Sequence, residues 1–487
     1  MRPTSVLETS PFVLADEDRE RLSARLELAV QRARRSGTPT LATLTLPLPA
    51  DIDPSAVACA SRRASEPWFV FEQPERKQVA LAALGDVTEI SASGPERFAE
   101  VADRWRVLAA AAVSDPHGPK DGGVGGGPIA VGGFAFAPDG GSAPHWGGFQ
   151  PASLVVPEVA LARDERHGER RVRMTLSALA APDDTPEDLL ARLQGRLSEL
   201  RSRPLALLDP APAGRCHVAS AMPPEHYEAA VARAVELIRD GEMQKIVLAR
   251  EVQVHAPGEY DPAAVFGVLR AEFPSCFVFC VGRGDSTLVA ASPELLVRRE
   301  GHRVSTLALA GSTRRSADPA VDDHLGEQLL RSQKDREEQA IVVRRIERTL
   351  RQHALWVTAT PEPVLVRVAN IQHLGTPIRA QLARPLDAIE LLDLMHPTPA
   401  VGGEPLARAS PLIPALEGLD RGWYAGPVGW TDATGDGEFC VALRCALLNR
   451  DVARCYAGVG VVKDSDPCAE LAETEMKLAA LLPLLSS

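Results

Sequence analysis

Strand-like segments are mixed with helical segments along this chain in no regular order. Residues 67–72 and 78–85 read as two consecutive strands, and residues 276–281 and 286–291 read as two more. Residues 95–113 have the apolar spacing that predicts a helix. A parallel sheet of the α/β class would show strict alternation of strand and helix. Strands that look antiparallel and mix irregularly with helices indicate the α+β class instead. The sequence therefore predicts an α+β fold.

A proline-rich stretch divides the chain into two parts. The 487 residues suffice for one large domain or for two to three ordinary ones. Residues 204–214 read PLALLDPAPAG, a composition typical of a connector. We therefore predict an N-terminal α+β part over residues 1–210 and a second part, which carries the sites, over residues 211–487.

Charge and cysteine content limit the partners of this protein. The net charge is −12, which argues against a broad nucleic-acid surface or an anionic membrane partner. No apolar run approaches the length of a membrane span, and the start of the sequence lacks the apolar core of a secretory signal. The eight cysteines include no CxxC pair, so neither a zinc site nor a disulfide framework is indicated. We expect a reduced, cytoplasmic protein, in which an anionic substrate would need a local group of cations or a metal.

A charged helix is predicted near the end of the chain. Residues 465–467 (Ser-Asp-Pro) resemble a helix start, and from there Glu470, Glu473 and Lys477 fall on one face. Two carboxylates beside an ammonium group suit a hard cation such as Mg²⁺ next to an anionic substrate. A solvated face with an ordinary Glu–Lys pair fits the same residues. The preceding strand, residues 456–462, has two glycines where a ligand could approach the backbone.

The same carboxylate spacing occurs in the middle of the chain. Asp335 and Glu338 are three residues apart within residues 322–353, a long charged stretch with a helical pattern. Two helices that each present such a pair could hold one hard cation between them. A helix that is simply charged and solvated on all sides is the alternative.

Two further residues could carry acid–base chemistry. Lys245 begins an apolar, β-branched strand, and burial lowers the pKa of a lysine so that it can act as a base. Glu294 follows a Ser-Pro turn and precedes an apolar run, and burial raises the pKa of a carboxyl so that it can act as an acid. An edge lysine that opposes aggregation and an exposed turn glutamate are the alternatives.

Several other segments could form the walls of a pocket. Residues 309–315 (LAGSTRR) offer backbone N–H groups, hydroxyls and arginines that could hold a carboxylate, or they form a simple loop. His373, a candidate catalytic residue, stands in a short β-like run, where a histidine is more often structural than catalytic. Residues 396–403 form a rigid loop with few large side chains. Residues 424–430 and 439–446 are predicted to form a hairpin.

Taken together, these segments resemble the chorismate-utilising enzymes, the family of isochorismate, salicylate, anthranilate and aminodeoxychorismate synthases. The motifs KIVLAR, ASPELL, LAGSTRR, KDREEQ, NIQHLGT, HPTPAVGG, YAGPVGW, GDGEF, LRCA, YAGVGVV and ETEMK occur in the family's order. The resemblance covers residues 223–485, a bit over half of the chain. It implies large antiparallel sheets surrounded by helices, the fold of anthranilate synthase component I, with a Mg²⁺-dependent site between them.

The resemblance also implies which residues bind the metal and the substrate chorismate. Those implied to bind Mg²⁺ are Glu338 and Glu473, with Asp335 and Glu470 in support. Those implied to hold the enolpyruvyl carboxylate are Tyr424, Arg444, Gly458, Gly460 and Lys477. Those implied to line the side of the ring carboxylate or the ring itself are Gly311, Ser312 and His373.

In carrying a lysine at position 245, the chain resembles the branch of the family that adds water, because amine-forming relatives typically carry Gln there. The resemblance then implies that Lys245 deprotonates water for attack at C2, while Glu294 protonates the C4 hydroxyl as it leaves. Salicylate synthases use the same pair and then eliminate pyruvate, but tend to have threonine where this chain has Ala400. The implied product is isochorismate, and salicylate synthesis, amine formation and an inactive scaffold or metal-binding protein remain alternatives.

Two departures from the family pattern stand near the metal residues. Gln339 replaces the usual histidine after Glu338, and Ala308 replaces a frequent proline before LAGS. Neither departure removes a metal ligand or the acid–base pair, but Gln339 leaves open whether the metal ligands keep their usual support. We expect a monomer or homodimer without an obligatory glutaminase subunit, which serves either menaquinone or siderophore biosynthesis.

Overall fold

The computed structural model describes residues 10–76, 79–114, 126–166 and 168–486. These residues form thirteen α-helices, a short 3₁₀ turn and twenty-two β-strands. The helices are α1 (Asp16–Ser36), α2 (Pro54–Ser61), α3 (Arg97–Ala111), α4 (Pro186–Glu199), α5 (Pro224–Arg239), α6 (Pro262–Glu272), α7 (Pro319–Arg331), α8 (Gln333–Arg351), α9 (Ala388–Met395), α10 (Leu406–Ala409), α11 (Leu412–Glu417), α12 (Pro467–Leu478) and α13 (Leu482–Ser486). Within the described ranges, none of them combines the length and the apolar character needed to cross a bilayer.

The strands form two large sheets. They are β1 (Thr40–Leu48), β2 (Trp68–Gln73), β3 (Val79–Leu84), β4 (Thr88–Ala92), β5 (Ile129–Phe134), β6 (Ala152–Val156), β7 (Val159–Arg166), β8 (Glu169–Ala180), β9 (His217–Ser220), β10 (Lys245–His255), β11 (Phe277–Arg283), β12 (Ser286–Ser292), β13 (Leu295–Glu300), β14 (Arg303–Arg314), β15 (Ala354–Ala359), β16 (Val364–Arg367), β17 (Ile371–Leu382), β18 (Gly403–Glu404), β19 (Pro427–Asp432), β20 (Gly437–Val441), β21 (Cys445–Asn449) and β22 (Val452–Val461).

Both sheets are antiparallel. The larger has twelve strands in the order β1-β8-β7-β3-β2-β11-β12-β21-β22-β10-β18, with β9 also beside β10. The smaller has ten in the order β15-β17-β14-β13-β20-β19-β5-β6-β4, with β16 also beside β17. The pairings between these named strands are antiparallel throughout. The predicted α+β fold with large antiparallel sheets and surrounding helices is confirmed.

The two parts predicted on either side of residue 210 share both sheets. In the larger sheet β2 pairs with β11, and in the smaller sheet β5 pairs with β19. The predicted connector, residues 204–214, contains neither helix nor strand. The two parts therefore do not build separate sheets, and the division of the chain at residue 210 stays a prediction.

The larger sheet is buried on both faces. On β11, Phe277 and Phe279 belong to a core that also contains Phe134 and Phe439 of the smaller sheet. The alternate residues of β11, such as Val278, belong to a second core with the apolar faces of α1, α2, α4 and α6. Because successive side chains of a strand point to opposite faces, one strand serves both cores. The space between the sheets is therefore the centre of the molecule.

Two predicted elements are wrong in their extent. The single helical stretch over residues 322–353 is broken at Ser332, whose extended backbone ends α7 and whose side chain caps α8 by accepting from the Asp335 backbone N–H. The predicted strand over residues 439–446 is split into β20 and β21, which belong to different sheets. The split occurs where Arg444 adopts a left-handed backbone with φ of 48°.

Candidate active site

A pocket between the two sheets contains most of the residues predicted from the sequence. The predicted residues that line it are Glu294, Gly311, Ser312, Glu338, His373, Ala400, Tyr424, Arg444, Gly458, Gly460, Glu473 and Lys477. The other three, Lys245, Asp335 and Glu470, lie behind this wall, on β10, α8 and α12. Residues up to 232 positions apart in sequence, Lys245 and Lys477, thus meet because the two sheets face each other, with α8 and α12 at one end of the pocket.

Lys245 is buried at the start of β10. The residue is 1% exposed, because β10 is covered by β22 on one side and β18 on the other. Its Nζ lies 2.8 Å from Oε1 of Glu338, which lines the pocket. Gly460 on β22 leaves the room for this pair, since a Cβ atom there would lie 2.6 Å from Lys245 Cε and would overlap Glu338 Oε1. The lysine is therefore not the exposed edge residue of the alternative interpretation.

Glu294 lies where the chain crosses from the larger to the smaller sheet. It stands between β12 and β13, and its carbonyl oxygen accepts from the backbone N–H of Val441 at 3.0 Å. The residue is 4% exposed. Burial raises the pKa of its carboxyl from 4.5 to about 8, although Lys245, Arg444 and Lys477 act in the opposite direction. At neutral pH the carboxyl therefore carries a proton that it can donate into the pocket.

Arg444 lies at a second crossing, beside the first. It stands between β20 of the smaller sheet and β21 of the larger, and its carbonyl oxygen accepts from the Ala291 backbone N–H at 3.1 Å. Its Nη2 lies 3.1 Å from Nε2 of His373. Burial, followed by the charge of Arg444, holds the pKa of His373 well below 6.5. A cation and a neutral imidazole thus form one wall of the pocket.

Gly311 and Ser312 lie on a bulge in β14, directly opposite His373 on β17. Gly311 has a φ of 70°, and a Cβ atom there would lie 2.9 Å from Cβ of Asp335. Glycine is therefore required both by the backbone conformation and by the close approach of α8. His373 Nδ1 lies 3.0 Å from Ser312 Oγ and 3.2 Å from the carbonyl oxygen of Gly311.

Carboxylates and lysines alternate at the helical end of the pocket. Helix α8 presents Asp335 and Glu338 in its first two turns, and α12 presents Glu470 and Glu473. The lysine–carboxylate pairs among them are Lys245–Glu338 at 2.8 Å, Lys334–Glu470 at 2.7 Å and Lys477–Glu473 at 2.7 Å. Lys477 Nζ also donates to the Gly458 carbonyl oxygen at 2.9 Å. The face predicted on α12 therefore points into the protein and not into solvent.

The pKa values of these carboxyls follow from burial and from the neighbouring lysines. Burial raises the pKa of Asp335 and of Glu470, and for Glu470 the charge of Lys334 offsets only part of that effect. Burial acts in the same direction on Glu473, but Lys477 together with Lys334 and Ser312 outweighs it and the pKa of Glu473 is lowered. Asp335 and Glu470 each sense the charge of Glu473, so the carboxyls of α8 and α12 form one electrostatic cluster.

The donor set of this cluster suits a hard cation. It consists of carboxylate oxygens with no thiol or imidazole among them, which is the ligand type that Mg²⁺ prefers. In the part of the chain that the structure describes, no three His, Cys, Asp or Glu side chains converge closely enough to hold a metal ion. The oxygen donors of the cluster match the preference of Mg²⁺ in type, Glu338 and Glu473 face the pocket, and the metal site itself stays a prediction.

Arg421 is a pocket residue that the sequence analysis missed. It is 4% exposed, pairs with Glu417 through both oxygens at 3.0 and 2.5 Å, and stacks on Phe136. It also donates to the carbonyl oxygens of Val401 at 2.8 Å and Val247 at 2.9 Å. Arg421 thereby joins the strand of the buried lysine to the loop of Ala400. An arginine is normally exposed, so no pattern in the sequence indicated that this one is buried.

Gln339 supports the helix that carries Glu338. The residue is 3% exposed, and its Nε2 donates to the Ala308 carbonyl oxygen at 2.9 Å and to Thr376 Oγ1 at 3.0 Å. These bonds tie α8 to β14 and β17. The two departures from the family pattern, at positions 339 and 308, are therefore in direct contact.

The pocket combines a buried, protonated carboxyl at Glu294 with two cations, Arg444 and Lys477. This combination indicates an enzyme that acts on a small anionic substrate. A family model described as chorismate binding enzyme matches residues 28–486. The chain therefore belongs to the family of chorismate-binding enzymes, as its motifs indicated.

Relatives and solved structures match nearly the whole chain. It is 37% identical over 467 residues to the salicylate biosynthesis isochorismate synthase of Pseudomonas aeruginosa, covering 96% of this chain and 94% of that protein. It is 30% identical over 419 residues to the isochorismate synthase MenF of Bacillus subtilis, covering 86% and 87%. The structure superposes on MenF, the menaquinone-specific isochorismate synthase of Escherichia coli, with a TM-score of 0.76 and 25% identity over 95% of this chain and 100% of that one. Anthranilate synthase component I of Streptococcus pneumoniae shares the fold, with a TM-score of 0.66.

Proposed function

We propose that this protein is an isochorismate synthase, an isomerase that adds water at C2 of chorismate and releases the hydroxyl at C4. The observation that carries the proposal is Glu294, a carboxyl protonated at neutral pH on the wall of the pocket that Lys245 approaches from β10. Two relatives that match most of the chain are named isochorismate synthases, which supports the same activity.

Glu294 is the proposed general acid. Its carboxyl donates a proton to the C4 hydroxyl as the C–O bond breaks, so that water leaves instead of hydroxide. The pKa of about 8 is close to neutral pH, where a proton donor is both present and ready to transfer. The raised pKa is a consequence of burial at the sheet crossing, so the fold itself supplies the acid.

Lys245 is the proposed general base. Its amine is proposed to take a proton from the attacking water while the water oxygen bonds to C2 and the ring double bonds shift toward C4. One water is consumed and one is released, and the proton gained by Lys245 balances the proton lost by Glu294. The enzyme returns to its starting state when a proton passes back from the lysine to the carboxylate.

Cationic and polar side chains orient the two carboxylates of chorismate. Arg444, Lys477 and Tyr424 are proposed to hold the enolpyruvyl carboxylate, helped by the backbone of Gly458 and Gly460. Glu338 and Glu473 would hold Mg²⁺, with Asp335 and Glu470 in support, and the bound ion supplies positive charge to the ring carboxylate. Gly311, Ser312 and neutral His373 are proposed to form the wall beside the ring.

The test is incubation of the purified protein with chorismate and Mg²⁺, followed by chromatography, with and without ammonium. We expect isochorismate as the product, no dependence on ammonium, and loss of product on adding EDTA. Lys245→Gln and Glu294→Gln variants should retain the fold by circular dichroism and lose the product. Isochorismate formed at the wild-type rate by both variants would refute the proposal.

The same assay decides among the other members of the family. Release of pyruvate together with salicylate would make the protein a salicylate synthase and would remove the significance given to Ala400. A product that requires ammonium would make it an amine-forming enzyme, and no product at all would make it an inactive homologue that retains the fold.

We further propose a cytoplasmic monomer or homodimer that works without a glutaminase subunit. The printed names of its relatives include both salicylate biosynthesis and menaquinone-specific enzymes, so they point to different receiving pathways. The formation of isochorismate is the step that these names share.

A further inference from the structure

Three lysines from three different elements contact the carboxylate cluster, one lysine for each of three glutamates. Lys245 is at the start of β10, Lys334 in the first turn of α8, and Lys477 in the last turn of α12. Their Nζ atoms lie 2.7 to 2.8 Å from an oxygen of Glu338, Glu470 and Glu473, respectively. Asp335 is bonded instead to the Ser332 hydroxyl. The cluster as a whole has one more carboxylate than ammonium groups.

These pairs are mostly removed from solvent. The side chains of Lys245 and Glu470 are each 1% exposed, that of Lys477 is 10% exposed, and that of Lys334 is 37% exposed. Charge interactions weaken little with salt when the groups are buried, and each partner of a buried pair depends on the other for its stability. The lysines are therefore the counter-charges that allow four carboxylates to be packed together in the protein.

Accepting the proposed function, we propose that these three lysines are resident counter-ions that compete with the divalent cation for the carboxylates. An ammonium group in contact with a carboxylate oxygen occupies one of the positions that a small cation requires. The positive charge of the ammonium group and that of the divalent cation also repel each other across a few ångströms of poorly solvated space. Cation binding is therefore coupled to the displacement of ammonium groups from the carboxylates.

The displacement has a different consequence for each lysine. Lys245 and Lys477, once separated from Glu338 and Glu473, are free to contact the attacking water and the substrate carboxylate. Lys334 faces the outer groove beside α8, where Arg331 and Arg344 also lie, and it contacts Glu470. Lys334 is therefore a positioning residue that controls how strongly the cluster attracts the cation.

The test is calorimetric titration of Mg²⁺ into the full-length protein, compared among lysine-to-methionine variants. Methionine keeps the apolar stem of lysine and removes its charge. We expect Lys334→Met, Lys245→Met and Lys477→Met each to bind Mg²⁺ more tightly than wild type, by about fivefold or more, because a competing charge is gone. The matched control is Lys463→Met, an exposed lysine of the same groove that pairs with Asp464, and its Mg²⁺ affinity should equal that of wild type.

A second readout separates this role from a purely structural one. Without added cation the three variants should melt at a lower temperature than wild type, because each leaves a carboxylate without its counter-charge. Saturating Mg²⁺ should raise their melting temperatures by more than it raises that of wild type. Loss of a merely structural contact would lower the melting temperature without tightening Mg²⁺ binding.

The outcomes separate this inference from the proposed function. Mg²⁺ affinity that is unchanged or weaker in all three variants overturns the inference, even if wild type converts chorismate to isochorismate. Tighter Mg²⁺ binding in the variants supports it, even if wild type gives no isochorismate and the proposed function fails. Absence of Mg²⁺ binding in wild type and in every variant overturns the inference as well.

Discussion

Arg444 donates a hydrogen bond from Nη2 to Nε2 of His373 across 3.1 Å. A guanidinium has donors only, so Nε2 of the imidazole must be the acceptor. The ring proton therefore sits on Nδ1, which faces the carbonyl oxygen of Gly311, an acceptor, at 3.2 Å. This pair keeps His373 neutral and fixes its tautomer, while the histidine in turn fixes the direction of the arginine in the pocket.

His373 is therefore expected to act by orientation and not by proton transfer. In His373→Gln the side-chain oxygen can still accept from Arg444, so we expect kcat/KM to fall no more than about tenfold, the strength of one hydrogen bond. His373→Leu leaves the arginine donor unpaired and should cost more. The pH dependence of kcat/KM should keep its shape in the glutamine variant, and disappearance of one of its limbs would show that the histidine itself titrates.

The raised pKa of the Glu294 carboxyl predicts a loss of activity in alkaline solution. A general acid works only while protonated, and burial raises the pKa of this carboxyl to about 8. We therefore expect kcat to be steady near neutral pH and to fall as pH rises through about 8. Glu294→Gln should reduce kcat by about 10²- to 10⁴-fold, the usual contribution of a positioned acid. A wild-type profile that stays flat above pH 9 would contradict the assignment.

The raised pKa of the same carboxyl also predicts that the free energy of unfolding depends on pH. Below about pH 4.5 it is protonated in both the folded and unfolded states, and above about 8 it is ionised in both. Between these values the folded state binds the extra proton, so the free energy of unfolding falls as pH rises, by up to about 5 kcal/mol for a shift of this size. Glu294→Gln should remove this fall and melt at a higher temperature than wild type at pH 8.5, but not at pH 4.5. An equal difference at both pH values would count against a raised pKa.

Gly460 is predicted to leave the space that the side chains of Lys245 and Glu338 need in the active enzyme. A methyl group at position 460 would overlap the ends of these two side chains and not the backbone. We therefore expect Gly460→Ala to fold with a melting temperature close to wild type and to lose most of its activity. Gly195→Ala is the control, because a Cβ atom there meets no other atom within 4 Å and should leave the kinetics unchanged. Full activity in Gly460→Ala would show that the Lys245 and Glu338 side chains do not need the space that Gly460 leaves.

Arg421 and Glu417 are predicted to affect both stability and kinetics. Arg421→Met leaves the buried Glu417 without a partner and should cost about 3–5 kcal/mol of stability. Replacing both residues, as Arg421→Met with Glu417→Leu, should recover most of that stability in a denaturant titration. It should not recover kcat/KM, because Val247 and Val401 still lack the donor that aligns the lysine strand with the Ala400 loop. Wild-type kinetics in the double variant would limit the pair to a structural role.

The sequence predicted elements well wherever one local pattern decided them. Asp466 and Pro467 marked the start of α12, and the period of Glu470, Glu473 and Lys477 indicated their common face. The prediction from sequence failed where the backbone conformation of a single residue decided the path of the chain, as at Ser332 and Arg444. A left-handed φ at an arginine has no signal in the sequence, so the crossing at Arg444 looked like a continuous strand.

The candidate site, too, was only partly predictable from local sequence patterns. The acid, the lysine and the carboxylates could be proposed individually from residue type, but only the resemblance to a family brought them into one pocket. Arg421 was missed because burial of an arginine depends on partners distant in the sequence, Val247 and Val401. The pairing of Lys334 with Glu470 was missed because each lies in a charged stretch where a solvated side chain is the usual outcome.

The two chain crossings have a consequence for residues far from the pocket. Glu294 and Arg444 are fastened to both sheets at once, by the bonds from Val441 to Glu294 and from Ala291 to Arg444. The gap between the sheets therefore sets how far the acid reaches toward the substrate. That gap is filled by large side chains such as Phe279 and Phe439, so a change of volume there will alter turnover as well as melting temperature. In this protein the thickness of the hydrophobic core therefore helps to set the rate of catalysis.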